Sequence, residues 1–323
     1  MLIEKVPKIS VVMPLYNKQR EVGRTLFSVL KQTMQDFELL IVNDGSTDGG
    51  PDVVRSVKDR RIRIIDQSNR GVSAARNKGI EEANCDVIAF LDADDEWEPD
   101  FLETVLHLRT KFPGCDVFAT SYWFSNKEGS RRRPIIHNVP EDPWEGILNG
   151  YFTIAAKSDP PLWTSAVCVT KRAIASIGGF PVGIYSGEDL LTWARLAVNY
   201  EIAYANRPCA IHWNPESISD RPGRVPQRPD IVGNELIRLM NESPARRTRG
   251  IKEYIGLWHQ MRAIIYFQLG DRKSSLDESK ESALYRPSLK IYLLMLSLVV
   301  PVRPPARLLT ALRKFTSVLK TWK

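Results

Sequence analysis

The chain has 323 residues, 43% apolar and 26% charged, with a formal net charge of +7; this is the make-up of a folded globular protein and excludes a disordered or fibrous one. Four cysteines, Cys85, Cys115, Cys168 and Cys209, stand far apart with no C-x-x-C pair, which excludes a disulfide framework or thiolate zinc site and fits a reducing compartment. The basic excess belongs to the end: residues 1–240 carry 29 Lys/Arg against 32 Asp/Glu, and residues 241–323 carry 16 against 6, so a nucleic-acid-binding body is not expected.

Met1 to Lys5 lacks the apolar core of a signal peptide. The longest apolar run, Ile291 to Val302, has 12 residues and is too short to span a bilayer. A cytoplasmic protein is therefore expected. In chain order, Ile9 to Met13 reads as a buried strand ending at Pro14, and Val22, Leu26, Val29 and Leu30 mark one face of a helix. Phe37 to Val42 is a second strand, closed by Asn43-Asp44-Gly45. A helix from Pro51 and a strand Ile62 to Ile65 follow, and then a loop from Asn69 leads into a helix through Ile80. Val87 to Leu91 is a strand that runs into Asp92-Ala93-Asp94-Asp95, with a helix from Pro99, which suits a first helical position. Asp116 to Thr120 is a further strand, and Ser121 to Pro161 reads as irregular. Ser165 to Val169 is a strand, Ile177 to Pro181 a turn, Ser186 to Val198 a helix and Ile202 to Ala205 a last strand. Beyond Asp230 the chain reads as helical: Ile231–Asn241, Thr248–Gln268, Asp271–Leu284 and Leu289–Val300. Strand alternating with helix predicts an α/β fold with a mostly parallel central sheet, then a helical extension. The expected division is 1–230 and 231–323.

In an open parallel sheet, ligands gather at the carboxyl ends of the strands. Pro14-Leu15-Tyr16-Asn17, Asn43-Asp44-Gly45 and Asp92-Ala93-Asp94 each follow a strand and so share one crevice. The aspartates repel one another unless a cation sits among them, and a hard divalent ion bound through carboxylates and a phosphate is the natural occupant. The alternative, acids decorating a helix start, accounts for Asp95 and Glu96 but not for Asp92 and Asp94. Asp44 suits a hydrogen bond to a nucleobase or ribose; its bland reading is a cap for the turn at Gly45. Arg76 and Lys78 stand where a helix would carry them toward phosphates, or are surface charges.

Val11 to Asn17, Ile41 to Gly49, Gly71 to Ile80 and Phe90 to Pro99 together resemble glycosyltransferase family 2, in that family's order and spacing, across about Ile9 to His212. The resemblance implies a GT-A nucleotide-binding sandwich and inverting sugar transfer from a nucleotide-sugar, a UDP-sugar first among the donors, with Mn²⁺ or Mg²⁺. By position it implies donor contacts at Pro14, Tyr16, Asn17, Asp44, Gly71, Arg76, Asp92 and Ala93. Asp92 and Asp94 resemble the D-x-D pair, with Asp94 the direct metal ligand, Asp95 an alternative one and His212 a diphosphate or metal contact. Gly178-Gly179-Phe180 followed by Glu188-Asp189 matches the acceptor-side motif, with Asp189 as general base beside Glu188. Trp193 and Arg195 match the W-x-R that follows. The chemistry agrees: a metal neutralises the leaving diphosphate, and a carboxylate opposite it takes the acceptor proton. Asp189 read blandly is an acid at a helix start.

A processive polysaccharide synthase is not expected, since no transmembrane helices follow. A single transfer to a glycan, free or lipid-linked, is. Leu308, Leu312, Phe315, Leu319 and Trp322 form one helical stripe flanked by bases. That stripe either packs on the preceding helices or makes a peripheral contact with an anionic membrane. The rival readings are a nucleotidyltransferase, which lacks its glycine-rich phosphate loop here, and a catalytically silent nucleotide-sugar or glycan-binding scaffold.

Overall fold

The structure is a computed structural model that describes residues 7–126, 128–213 and 225–299. The readings made for Met1 to Lys5 and for the stripe Leu308 to Trp322 lie outside these residues. Four strands, β1 (Ile9–Leu15), β2 (Phe37–Asp44), β3 (Ile62–Gln67) and β4 (Val87–Phe90), run parallel in the order β3-β2-β1-β4. Helices α1 (Val22–Leu30), α2 (Gly50–Ser56) and α3 (Val72–Glu82) connect them. Side chains alternate across the sheet. Val11, Met13, Leu39, Ile41, Ala89 and Leu91 enter one core with Leu26, Val29 and Val54, joined by Phe101, Val105 and Leu108 of α4 (Phe101–Lys111). The opposite face carries Val12, against which α3 lies so closely that a Cβ at Gly79 would come within 2.3 Å of it. Both faces are covered, which is why these strands read as unbroken apolar runs.

Beyond β4 the sheet turns mixed. β9 (Val167–Thr170) is antiparallel to β4 and to β6 (Val117–Ser125), and β10 (Ile202–Trp213) is parallel to β6. Three short strands, β5 (Glu96–Trp97), β7 (Arg131–Arg132) and β8 (Glu145–Ile147), add antiparallel pairs to β10, β6 and β10. The stretch expected to be irregular therefore holds the end of β6, two strands and α5 (Tyr151–Ala155). Their partners are remote in sequence, so local pattern does not announce them. The last strand reaches Trp213 rather than Ala205, because irregularities around Pro208 break its alternation without ending it. His212 thus lies in the strand, not after it. The helix expected at Pro99 begins at Phe101, with β5 between it and the aspartates, so the helix dipole does not explain Asp92, Asp94 or Asp95. Helix α6 (Lys171–Ser176), also unexpected, is capped by Thr170, whose Oγ1 accepts from the Ala173 N–H; α7 (Glu188–Asn199) then leads into β10.

The chain divides into two units, Met1–Asn149 with Pro160–Gly183 and Glu188–Glu216, and Gly150–Asp159 with Ile184–Gly187 and Ser217–Lys323. The first holds the sheet and its helices. In the second, α8 (Ile231–Glu242), α9 (Ile251–Gln268), α10 (Arg272–Tyr285) and α11 (Leu289–Val299) pack together. Ser275 and Ser282 of α10 donate to the carbonyls of Ala263 and Gly256, small residues letting the two helices approach closely. Asp230, His259 and Glu278 converge there, but Arg262 already lies 3.4 Å from Asp230 and 2.7 Å from Glu278, so the acids are neutralised within the fold. Among the described residues no helix is long and apolar enough to cross a membrane.

Candidate active site

At the end of β4, Asp92, Asp94 and Asp95 each offer an oxygen within 4.8 Å of the others. They are not equivalent. Asp95 is fully buried and both its oxygens serve the fold. Oδ2 accepts from Ser165 Oγ at 2.7 Å and Trp163 Nε1 at 3.1 Å, and Oδ1 accepts from His212 Nδ1 at 3.0 Å and the Trp213 N–H at 3.3 Å. Asp94 is paired with Lys18 at 2.8 Å, and its carbonyl accepts from Arg24. Asp92 accepts from Arg76 at 2.8 Å. Hard oxygen donors of this kind fit Mg²⁺ or Mn²⁺, with Asp92 and Asp94 the two whose oxygens are held by ion pairs that a divalent cation would replace. His212 adds a buried Nε2 that hydrogen-bonds no described group, the arrangement of an imidazole oriented through its other nitrogen by a carboxylate.

Arg76, buried on α3, connects this cluster to α7. Its guanidinium also lies 3.6 Å from Glu188 Oε1 and over the ring of Phe180 at 5.0 Å. Burial alone would lower its pKa, but Asp92 and Glu188 outweigh that and hold it above the ordinary value. Asp189 follows Glu188 in the first turn of α7. Its carboxyl is pushed up to about 7 by burial and then by the Glu188 charge, against the pull of Arg76. Next along α3, Asn77 donates to the Phe180 carbonyl and accepts from the Phe180 N–H, both at 2.8 Å. Gly179 has φ +75°, and a Cβ there would lie 2.6 Å from Asn77 Oδ1. Glycine is what lets this turn close on α3.

At the other strand ends, Asn17 (φ 50°) joins the loop after β1 to that after β2 by accepting from the Thr47 N–H at 2.8 Å. Tyr16 leaves its ring 47% exposed beside it, and Pro14 stays within β1. Asp44 is buried and accepts from Gln67 Nε2 at 2.7 Å and from the N–H groups of Arg70 and Gly71 at 2.9 Å.

The structure thus gathers Arg76, Asp92, Asp94, Asp95, His212, Phe180, Glu188 and Asp189, with Ala93 holding α1 through its carbonyl and Thr25. Trp193 is 2% exposed and packs on Phe90 and Phe180, which leaves its ring in the core. Arg195 is half-buried on α7, and Lys78 is a surface residue paired with Glu81 and Glu82. Sequence reasoning missed Lys18, Arg24, Asn77, Gln67, Trp163 and Ser165. Asn77 had a signal in its place directly after Arg76, and Lys18 in following Asn17. Ser165 had none.

Residues 10–170 match the family described as Glycosyl transferase family 2. EpsH of Bacillus subtilis (strain 168), named as a glycosyltransferase, is 40% identical over 152 residues, 46% of this chain and 44% of that protein. The matched part spans less than half of that relative. The structure of Staphylococcus aureus TarS 1–349 in complex with UDP-GlcNAc is similar with a TM-score of 0.67 at 17% identity, over 97% of this chain and 91% of that one. The mannosyltransferase PcManGT from Pyrobaculum calidifontis, in complex with GDP-Man and Mn²⁺, is similar with a TM-score of 0.60 at 16% identity, over 98% and 86%. At these identities the likeness is one of fold, the GT-A type. With the family match and the motif order it is sufficient: the chain belongs to glycosyl transferase family 2.

Proposed function

We propose that the chain moves a sugar from a nucleoside-diphosphate sugar to a hydroxyl of a glycan, with inversion at the anomeric carbon and with Asp189 as the general base. The carrying observation is the buried ion-pair chain Asp92–Arg76–Glu188, with Asp189 next in sequence. It ties the acids that suit a metal–diphosphate to a carboxyl of raised pKa at a helix start. Residues 1–230 supply this chemistry, and 231–323 are a basic extension for membrane-surface or oligomer contact. The exposed Tyr16 ring and the Asn17 turn form the nucleoside end, where Asp44 and the Arg70–Gly71 backbone read the base. A divalent ion held by Asp92 and Asp94, with His212 beside them, would neutralise the leaving diphosphate as a Lewis acid. Asp95 keeps the cluster in place.

Asp189 accepts the acceptor hydroxyl's proton while that oxygen bonds to the anomeric carbon. The bond from that carbon to the phosphate oxygen breaks as the new one forms, so the configuration inverts. A carboxyl near pH 7 suits this role, because a base is most effective when its pKa lies close to the working pH. The basic end of the chain favours an acceptor borne on lipid, met by peripheral contact at an anionic membrane surface.

The test is a thermal-shift panel of UDP-, GDP-, dTDP- and CMP-sugars, each with and without Mn²⁺. One nucleotide class should stabilise the protein only with metal, and Asp94→Asn should abolish the effect. No shift with any donor in the presence of metal would defeat the proposal in favour of a silent scaffold.

A further inference from the structure

Helix α11 has the sequence LKIYLLMLSLV, with Lys290 its only charge. Ile291, Leu294 and Leu298 are buried against Ala263 and Ile264 of α9. No described residue covers the rest of its apolar surface. Leu289 is 74% exposed, Tyr292 52%, Leu293 37%, Leu296 59% and Val299 67%, and their spacing puts them on one stripe opposite the buried one. A helix that is apolar all round belongs in an environment that is apolar all round, and a stripe of five large side chains is a site of association rather than scattered surface hydrophobicity. From Arg286 to the end the chain carries eight Lys/Arg and no Asp or Glu.

We propose that the outer face of α11 lies in the boundary between headgroups and acyl chains of an anionic membrane. The charge pattern selects this occupant. Two copies of the chain meeting through α11 would each add a segment of the same sign, Arg286 to the end holding eight bases and no acid. An anionic bilayer reverses the sign of that term and attracts each base. Tyr292 fits the same boundary, its ring apolar and its hydroxyl wet. The 11 residues of α11 extend about 16 Å, so the helix lies along the surface rather than across it. The inference rests on the reading of the acceptor as membrane-borne, and gives that reading a particular surface.

The experiment is flotation of the full chain with vesicles of phosphatidylcholine alone and of phosphatidylcholine with phosphatidylglycerol, run for wild type and for Leu289→Ser/Tyr292→Ser/Leu296→Ser. Wild type should bind the anionic vesicles only and be released by salt. The triple variant should bind on the order of 100-fold more weakly, with its melting temperature and sedimentation mass unchanged. Absence of wild-type binding overturns the proposal. A melting temperature several degrees lower in the variant overturns it too, showing that the face is buried within the fold. So does a concentration-dependent wild-type dimer that the variant loses, showing a second copy there. The donor-induced thermal shift, measured on both proteins, separates the two readings: vesicle binding without any donor shift defeats the transferase proposal alone.

Discussion

Asp189 is a carboxyl whose ionisation the fold opposes. Its pKa rises from an ordinary 3.8 to about 7, so the native state binds the proton more tightly than the unfolded chain. The resulting stability is complete below the unfolded pKa and is lost as pH rises through the folded one. Asp189→Asn should therefore gain thermal stability relative to wild type between pH 4 and pH 8, as read by melting curves across that range. The same substitution should lower kcat by on the order of 10²–10⁴, and wild-type activity should climb as pH passes through about 7. Arg76 is the counterweight. Arg76→Met removes the buried cation from Asp92, Glu188 and Asp189, a loss of about 3–5 kcal/mol measurable by urea unfolding. It should also move the activity edge to higher pH, because Asp189 loses the cation that pulls its pKa down. Arg76→Lys keeps the charge but lacks a fork able to reach both acids, and should fall between the two.

Among the elements, the Gly178–Phe180 turn shows most clearly what a local pattern conveys. The glycines mark a turn, and φ values of +80° and +75° show why. They do not reveal that Asn77, about a hundred residues earlier, holds the turn with two hydrogen bonds. Gly179→Ala meets both the backbone strain and the Asn77 contact, and should destabilise by about 1–3 kcal/mol. At Gly178 a Cβ finds open space, so Gly178→Ala should cost less, the strain alone. Unfolding curves of the two variants settle the comparison. The aspartate run was legible for a similar reason: acids directly after an apolar strand are costly without a purpose. Its division of labour was not. Trp163, Ser165, His212 and Trp213 converge on Asp95, and no window of sequence holds all of them. The antiparallel β9 and the length of β10 escaped for the same cause, since strand partners are chosen in three dimensions.

At the scale of the molecule, the parallel half of the sheet was readable because both its faces are covered and its strands are continuous apolar runs. The helical unit was readable as helices, though its polar centre around Arg262 was not. The first unit also predicts how the protein responds to losing metal. Lys18 and Arg76 already sit on Asp94 and Asp92, standing in for a cation on each carboxylate. EDTA should therefore leave the melting temperature of the ligand-free protein nearly unchanged. It should abolish the stabilisation by nucleotide-sugar, which amounts to about 2.7 kcal/mol at a hundred times Kd. A large EDTA effect on the ligand-free protein would instead mean that the two cations do not satisfy the acids.

The three hydrogen bonds of Asp44 bear on how this pocket changes over evolutionary time. The carboxylate proposed to meet the nucleobase also fixes Gln67 and the Arg70–Gly71 backbone, from which α3 departs with Arg76 and Asn77. A lineage that drifts at position 44 alone would disturb the helix that reaches Asp92 and Glu188 before it acquired a new base preference. On the proposed role of Asp44, donor preference is inherited as a block, Asp44 with Gln67 and the loop behind it, and redirecting it requires transplanting that block whole.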